Sequence, residues 1–108
     1  DFLRRRSAAE VKADVRGLVQ VAQASGAQVV LVAVPALSLL AAVAGRPSDA
    51  PLYAELADEE QVALVPEVFS SVLGDAALRA DAIHPNAAGY RQMAQRLHQR
   101  LKALGIAP

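Results

Sequence analysis

The chain is expected to fold as an α/β domain built on a parallel sheet. Three observations predict this. Amphipathic helical stretches alternate with short apolar runs in the order helix, strand, helix, strand, helix. Both strand-like runs are continuously apolar instead of alternating, as strands covered on two faces are. A helical pattern separates them, which is the connection that parallel strands require.

Taken in order, Ser7-Ala8-Ala9-Glu10 has the form of a capping box, with Ser7 covering an orphan amide and Glu10 reaching back to the Ser7 N–H. Behind it Val11, Val15, Leu18, Val19 and Ala22 recur at helical spacing, while Lys12, Asp14 and Arg16 fall mostly outside that stripe. Gly26 suits the end of this helix. Gln28–Val34 is a β-branched run expected to be a strand buried on both faces, and Pro35 ends it. In open α/β sheets ligands bind beyond the carboxyl ends of strands, so Pro35, Ala36 and Leu37 are expected on the site's side. Leu37–Ala44 is Ala-rich and apolar, and core packing is its simplest use.

Gly45-Arg46-Pro47-Ser48-Asp49 is the clearest break, with Asp49 expected to N-cap a helix from about Ala50 to Glu59 whose apolar side is Leu52, Tyr53 and Leu56. Val62–Val65 reads as a second buried strand closed by Pro66. Two strands alone do not make a stable sheet. Between Glu67 and Leu78 the signals are mixed: Val68, Phe69, Val72 and Leu73 suit a short helix, and Gly74-Asp75 a turn. The last helix is expected from about Ala87 to Leu104, with Tyr90, Met93, Ala94, Leu97, Leu101 and Leu104 on its apolar face and Gly105 at its end. His98 reads as an exposed residue of that helix.

With 108 residues the chain has room for one domain, 1–108. Eleven basic residues against eleven acidic ones argue against nucleic acid or an anionic membrane surface as the main partner. Arg4-Arg5-Arg6 reads as a solvated surface. Without cysteine there are no disulfides or thiolate metal sites, and the compartment stays open. No signal peptide is expected from these residues, which contain no internal repeat and no Gly-rich phosphate loop, and the apolar runs are too short to span a bilayer. Because the first residue is Asp1, the chain is expected to be a processed or truncated product.

The chemistry concentrates in Asp81-Ala82-Ile83-His84-Pro85-Asn86, followed by Ala87-Ala88-Gly89-Tyr90. Pro85 disfavours a helical residue before it and Asn86 is a strong N-cap, so Asp81 and His84 are expected on one loop at a helix entrance. A carboxylate beside an imidazole can accept Nδ1–H, set the tautomer and stabilise the imidazolium formed when Nε2 takes a proton from a nucleophile. Two residues without a third ligand make a poor metal site, and no metal or cofactor is expected.

In these residues the chain resembles the last conserved block of the SGNH (GDSL-type) esterases and lipases: Asp81, His84, Pro85, Asn86, Gly89 and Tyr90 all match Asp-x-x-His-Pro-Asn-x-x-Gly-Tyr. The resemblance implies a three-layer α/β/α, flavodoxin-like fold of which this chain is the C-terminal portion. It also implies a serine hydrolase acting on carboxylic ester or thioester bonds, of arylesterase, acyl-CoA thioesterase or lysophospholipase type. Carried over, His84 is general base and then general acid, and Asp81 orients it. Asp1 would end the family's Gly-x-Asn-Asp oxyanion block, although an arbitrary starting point of the chain reads as well. On this view Leu37–Ala44 could also line an acyl pocket.

The departure from the family pattern is the nucleophile. No Gly-Asp-Ser-type block is present, the Gly and Asn of the oxyanion hole are missing, and Ser38, Ser70 and Ser71 match nothing in the pattern. The expected partners are therefore a small ester or thioester substrate and a complementary N-terminal segment carrying the serine, and the chain alone is expected to be inactive. The alternative is a non-catalytic flavodoxin-like α/β module in which the Asp81 loop only caps the last helix.

Overall fold

The computed structural model describes residues 7–36 and 47–107. Among these residues the protein is a small mixed helix/strand fold with a two-stranded parallel sheet. Its elements are α1 (Ala8–Ala24), β1 (Val30–Val32), α2 (Pro51–Glu59), β2 (Ala63–Val65), α3 (Val68–Leu73), a 3-10 helix (Ala76–Leu78) and α4 (Ala87–Ala103). Asp1, Arg4-Arg5-Arg6, Leu37–Ala44 and Ser38 lie outside the described residues.

The capping box opens α1: Ser7 Oγ accepts the Glu10 N–H at 3.1 Å, and Glu10 Oε1 accepts the Ser7 N–H at 3.4 Å. Gly26, at φ +86°, follows the Ser25 C-cap in the left-handed conformation that glycine adopts without a Cβ penalty. The strands pair in parallel with Val30 opposite Ala63, Leu31 opposite Leu64 and Val32 opposite Val65. Alternation puts Leu31 and Leu64 on one face, where they join the main apolar cluster of Val11, Ala33, Ala50, Leu52, Tyr53 and Leu56. Thus α1 and α2 pack with one face of the sheet.

The strands are not buried on both faces as their composition suggests. Every β1 residue is half-buried, and in β2 only Val65 is fully covered. Among the described residues each strand has one neighbour, so Val30, Val32 and Ala63 on the second face keep partial exposure. The first strand is also shorter than Gln28–Val34, because regular pairing ends where β2 ends at Val65.

Two helices are rotated from the seats their apolar stripes suggest. In α1, Val11 and Val19 are buried and Val15 half-buried, but Leu18 is 71% exposed. At 3.6 residues per turn Lys12 and Arg16 flank Val19 on one side, while Leu18 and Val21 lie on the other. Lys12 Nζ meets Glu55 at 3.2 Å and Glu59 at 3.1 Å, and Arg16 Nη2 meets Glu59 at 3.0 Å. These pairs raise the Lys12 pKa, chiefly through the Glu59 hydrogen bond, and lower that of Glu59. The charged flank therefore faces α2, and Leu18 is turned outward. In α4 the buried residue is Gly89, and Tyr90 is 55% exposed. The face carrying Gly89, Gln92, Met93, Arg96 and Leu97 turns inward, and Tyr90 and Ala94 lie about a quarter-turn or more away.

Asp49 does not cap α2. The N-cap is Ala50, with no side-chain cap bond, and Pro51 sits in the first turn, where its missing N–H leaves nothing to satisfy. The Asp49 carboxylate instead accepts the Glu67 N–H at 2.7 Å and the Ser70 hydroxyl at 2.5 Å, at the start of α3. Leu56 is fully buried at the centre of the α1–α2–sheet cluster, so Leu56→Ala is expected to cost about 2–5 kcal/mol in urea unfolding. Leu18→Ala is expected to change stability by no more than about 0.5 kcal/mol.

Candidate active site

The loop from Ala80 to His84 is pinched at its base. Arg79 and Pro85 form an antiparallel bridge, and the His84 carbonyl accepts the N–H of Ala80 at 2.8 Å and of Asp81 at 3.4 Å. Asn86 fixes the exit: its Oδ1 caps α4 by accepting the Gly89 N–H at 2.9 Å. Its Nδ2 donates to the Ala77 carbonyl at 2.9 Å, and its own N–H to the Leu78 carbonyl at 2.9 Å. One side chain thus joins the 3-10 helix, the loop and α4.

Gly89 completes this joint. A Cβ at that position would lie 2.1 Å from the Leu78 carbonyl oxygen, 2.9 Å from Val72 Cγ1 and 3.0 Å from Pro85 Cβ. Only glycine lets the first turn of α4 come this close, and the nearest obstacle is backbone, which cannot swing aside.

Within the loop, Asp81 and His84 are brought together as their spacing predicts. His84 Nδ1 lies 2.9 Å from both Oδ1 and Oδ2 of Asp81. Asp81 Oδ1 also accepts the Ile83 N–H at 2.9 Å. A carboxylate only accepts, so in a neutral imidazole this contact favours the tautomer with the proton on Nδ1 and the lone pair on Nε2. Nε2 has no hydrogen-bond partner among the described residues, and the two side chains are 59% and 58% exposed. The Ile83 N–H and then the imidazole hold the Asp81 carboxyl below its ordinary pKa of 3.8. The pair can therefore act as an oriented base with a fixed tautomer.

The serines are placed elsewhere. Ser70 is buried, and its hydroxyl donates to Asp49. The Ser71 hydroxyl accepts from Arg96. None of the described serines, at 7, 25, 48, 70 and 71, is hydrogen-bonded to His84. A cleft of about 460 Å³ lined by Pro47, Ser48, Asp49, Glu67, Ser70 and Ser71 includes neither Asp81 nor His84, which stand on open surface. His98 is exposed on α4. Among the described residues no group of three or more His, Cys, Asp or Glu is placed to hold a metal ion, and no helix is long and apolar enough to cross a membrane.

Asn86 and Gly89 stand out in the sequence as a cap and a motif match; the close approach that demands Gly89 has no local signature. Arg79, whose guanidinium donates to the Leu73 carbonyl at 2.8 Å, has none either. Compared with family models, curated proteins and solved structures, the chain matches none.

Two outcomes follow from this geometry. Helix propensity alone favours Gly89→Ala by about 0.5–1 kcal/mol, but overpacking against the Leu78 carbonyl outweighs it. The variant is expected to be less stable by about 1–3 kcal/mol in urea unfolding; a gain would show that α4 sits farther away. Since folding depresses the Asp81 pKa, its contribution to stability is present above 3.8 and is lost as pH falls through the lower folded value. Carboxyl-carbon NMR of Asp81 should titrate below 3.8 in the native chain and at a higher pH in His84→Ala, Ile83→Pro combined; equal midpoints would contradict the pairing.

Proposed function

We propose that this chain supplies the general base and its orienting carboxylate to a serine acyl hydrolase that cleaves ester or thioester bonds. The observation that carries the reading is the contact of His84 Nδ1 with both Asp81 oxygens while Nε2 has no hydrogen-bond partner among the described residues. His84 Nε2 removes the proton of a serine hydroxyl as its oxygen attacks the acyl carbonyl, and returns it to the departing alcohol or thiol. Water, deprotonated by the same nitrogen, then attacks the acyl-enzyme and releases the acid and the serine. Asp81 holds the Nδ1–H tautomer and stabilises the imidazolium at both stages.

The serine and the oxyanion donors belong to a complementary N-terminal segment. The engagement of Ser70 with Asp49 and of Ser71 with Arg96 supports assigning the nucleophile to other residues. The partial exposure of Val30, Val32 and Ala63 suits further layers and strands, completing a three-layer α/β/α, flavodoxin-like sheet. The aryl ester, acyl-CoA and lysophospholipid classes all suit this chemistry.

A second reading has its own observation. Asp81 also accepts the Ile83 N–H, as in a loop that simply prepares a helix start, and this favours a non-catalytic flavodoxin-like α/β module.

The isolated chain is expected neither to hydrolyse p-nitrophenyl acetate nor to react with a fluorophosphonate probe. Fused behind a segment bearing Gly-Asp-Ser and Gly-x-Asn blocks it should turn over, with kcat reduced about 10⁴-fold by Asp81→Asn and at least as much by His84→Ala. Turnover by the isolated chain that is abolished by His84→Ala, or labelling of Ser38, Ser70 or Ser71, would contradict the assignment. Turnover indifferent to both substitutions would favour the module.

A further inference from the structure

The Asp81–His84 pair is exposed, so little packing holds it directly, and its geometry depends on what fixes the base of the loop. Asn86 and Gly89 fix the exit strand. The entry strand begins at Arg79, a residue with no part in the motif. Its backbone forms the bridge to Pro85, and its half-buried side chain reaches back to the end of α3.

The last carbonyls of a helix have no partner inside it, and a buried one must find a partner elsewhere. Leu73 is the last residue of α3 and is only 1% exposed. Arg79 Nη1 donates to its carbonyl at 2.8 Å. The helix that receives this bond is itself held from two other directions. Asp49 grips its start through the Glu67 N–H and the Ser70 hydroxyl, and Arg96 of α4 donates to Ser71. The anchor is thus a fixed point, and a guanidinium keeps its charge and donors at any pH at which an imidazole titrates. The groups that lower the Asp81 pKa are Ile83 and His84, and Arg79 is not among them, so its influence runs through the loop's position and not through charge.

We propose that Arg79 is a positioning residue: by tying the entry of the 80–84 loop to the Leu73 carbonyl it holds Asp81 where its carboxylate meets His84 Nδ1. The inference rests on reading that pair as the base and its orienter. Its consequence is that the His84 tautomer depends on a residue that touches neither the imidazole nor any substrate.

Nitrogen NMR of the His84 ring, recorded where the imidazole is neutral, separates positioning from stability. In the chain as it stands Nδ1 should carry the proton. Arg79→Met keeps most of the stem without a donor, and should lose that signal in favour of the mixture of a free imidazole, with helix content unchanged by circular dichroism. Arg79→Lys restores a donor and should recover it. Should Arg79→Met fail to fold, Arg79→Leu, which also lacks a donor, takes its place, with a loss of the same signal expected. A folded Met or Leu variant with the original ring spectrum, a loss that Lys does not recover, or an original ring that lacks Nδ1–H would overturn the proposal. If the fused protein shows no ester turnover while the ring spectrum still follows Arg79, the hydrolase reading falls and the positioning role stands.

Discussion

Among the described glycines the tightest constraint is the approach of Gly89 to the Leu78 carbonyl. It sets where α4 begins, and α4 fixes the exit of the loop that carries Asp81 and His84. The carbonyl accepts the Asn86 N–H at 2.9 Å, so the spot that a larger residue would invade is also a hydrogen-bonding site. Asn86 then closes the joint with its own two side-chain bonds, one to the 3-10 helix and one to α4. An exposed pair of ionisable groups is thereby held by a densely bonded base.

The joint is coupled to the rest of the fold mainly through α3. Asp49, on the segment that returns from β1, spans to the start of α3, and Arg79 takes its end. Val72 and Leu73 are fully buried between these two grips. A six-residue helix has little stability of its own, since nucleation is costly and few bonds reward it. It is held by the burial of Val72 and Leu73, while the Asp49 and Arg79 side chains find partners at its two ends. The α1–α2 half is built differently, from an apolar cluster under the sheet bordered by the Lys12, Arg16, Glu55 and Glu59 pairs. Exposed pairs of this kind contribute little stability, and they lie on the flank of α1 that faces α2.

What was legible in the sequence was local. The Ser7–Glu10 box, the Asn86 cap and the facing of Asp81 and His84 all involve residues three apart, and each forms as expected. The centres of both strands were also legible, because β-branched runs bounded by proline carry little ambiguity. Long-range choices were not. Asp49 has every mark of a local N-cap, yet two donors on α3 claim its carboxylate. Leu18 and Tyr90 belong to good apolar stripes, but charged neighbours and a close backbone contact rotate their helices. Arg79 looks like any isolated arginine, since its partner carbonyl is defined only by the fold.

The proposed acyl hydrolase requires that His84 Nε2, which has no hydrogen-bond partner among the described residues, meet a serine of another segment. The most direct measurement is a crystal structure of this chain fused behind a serine-bearing segment, after reaction with a fluorophosphonate. The modified serine oxygen should lie within about 2.6–3.2 Å of His84 Nε2, with Nδ1 still on Asp81. A labelled serine out of reach of His84, or a His84 turned away from Asp81 in that structure, would contradict it.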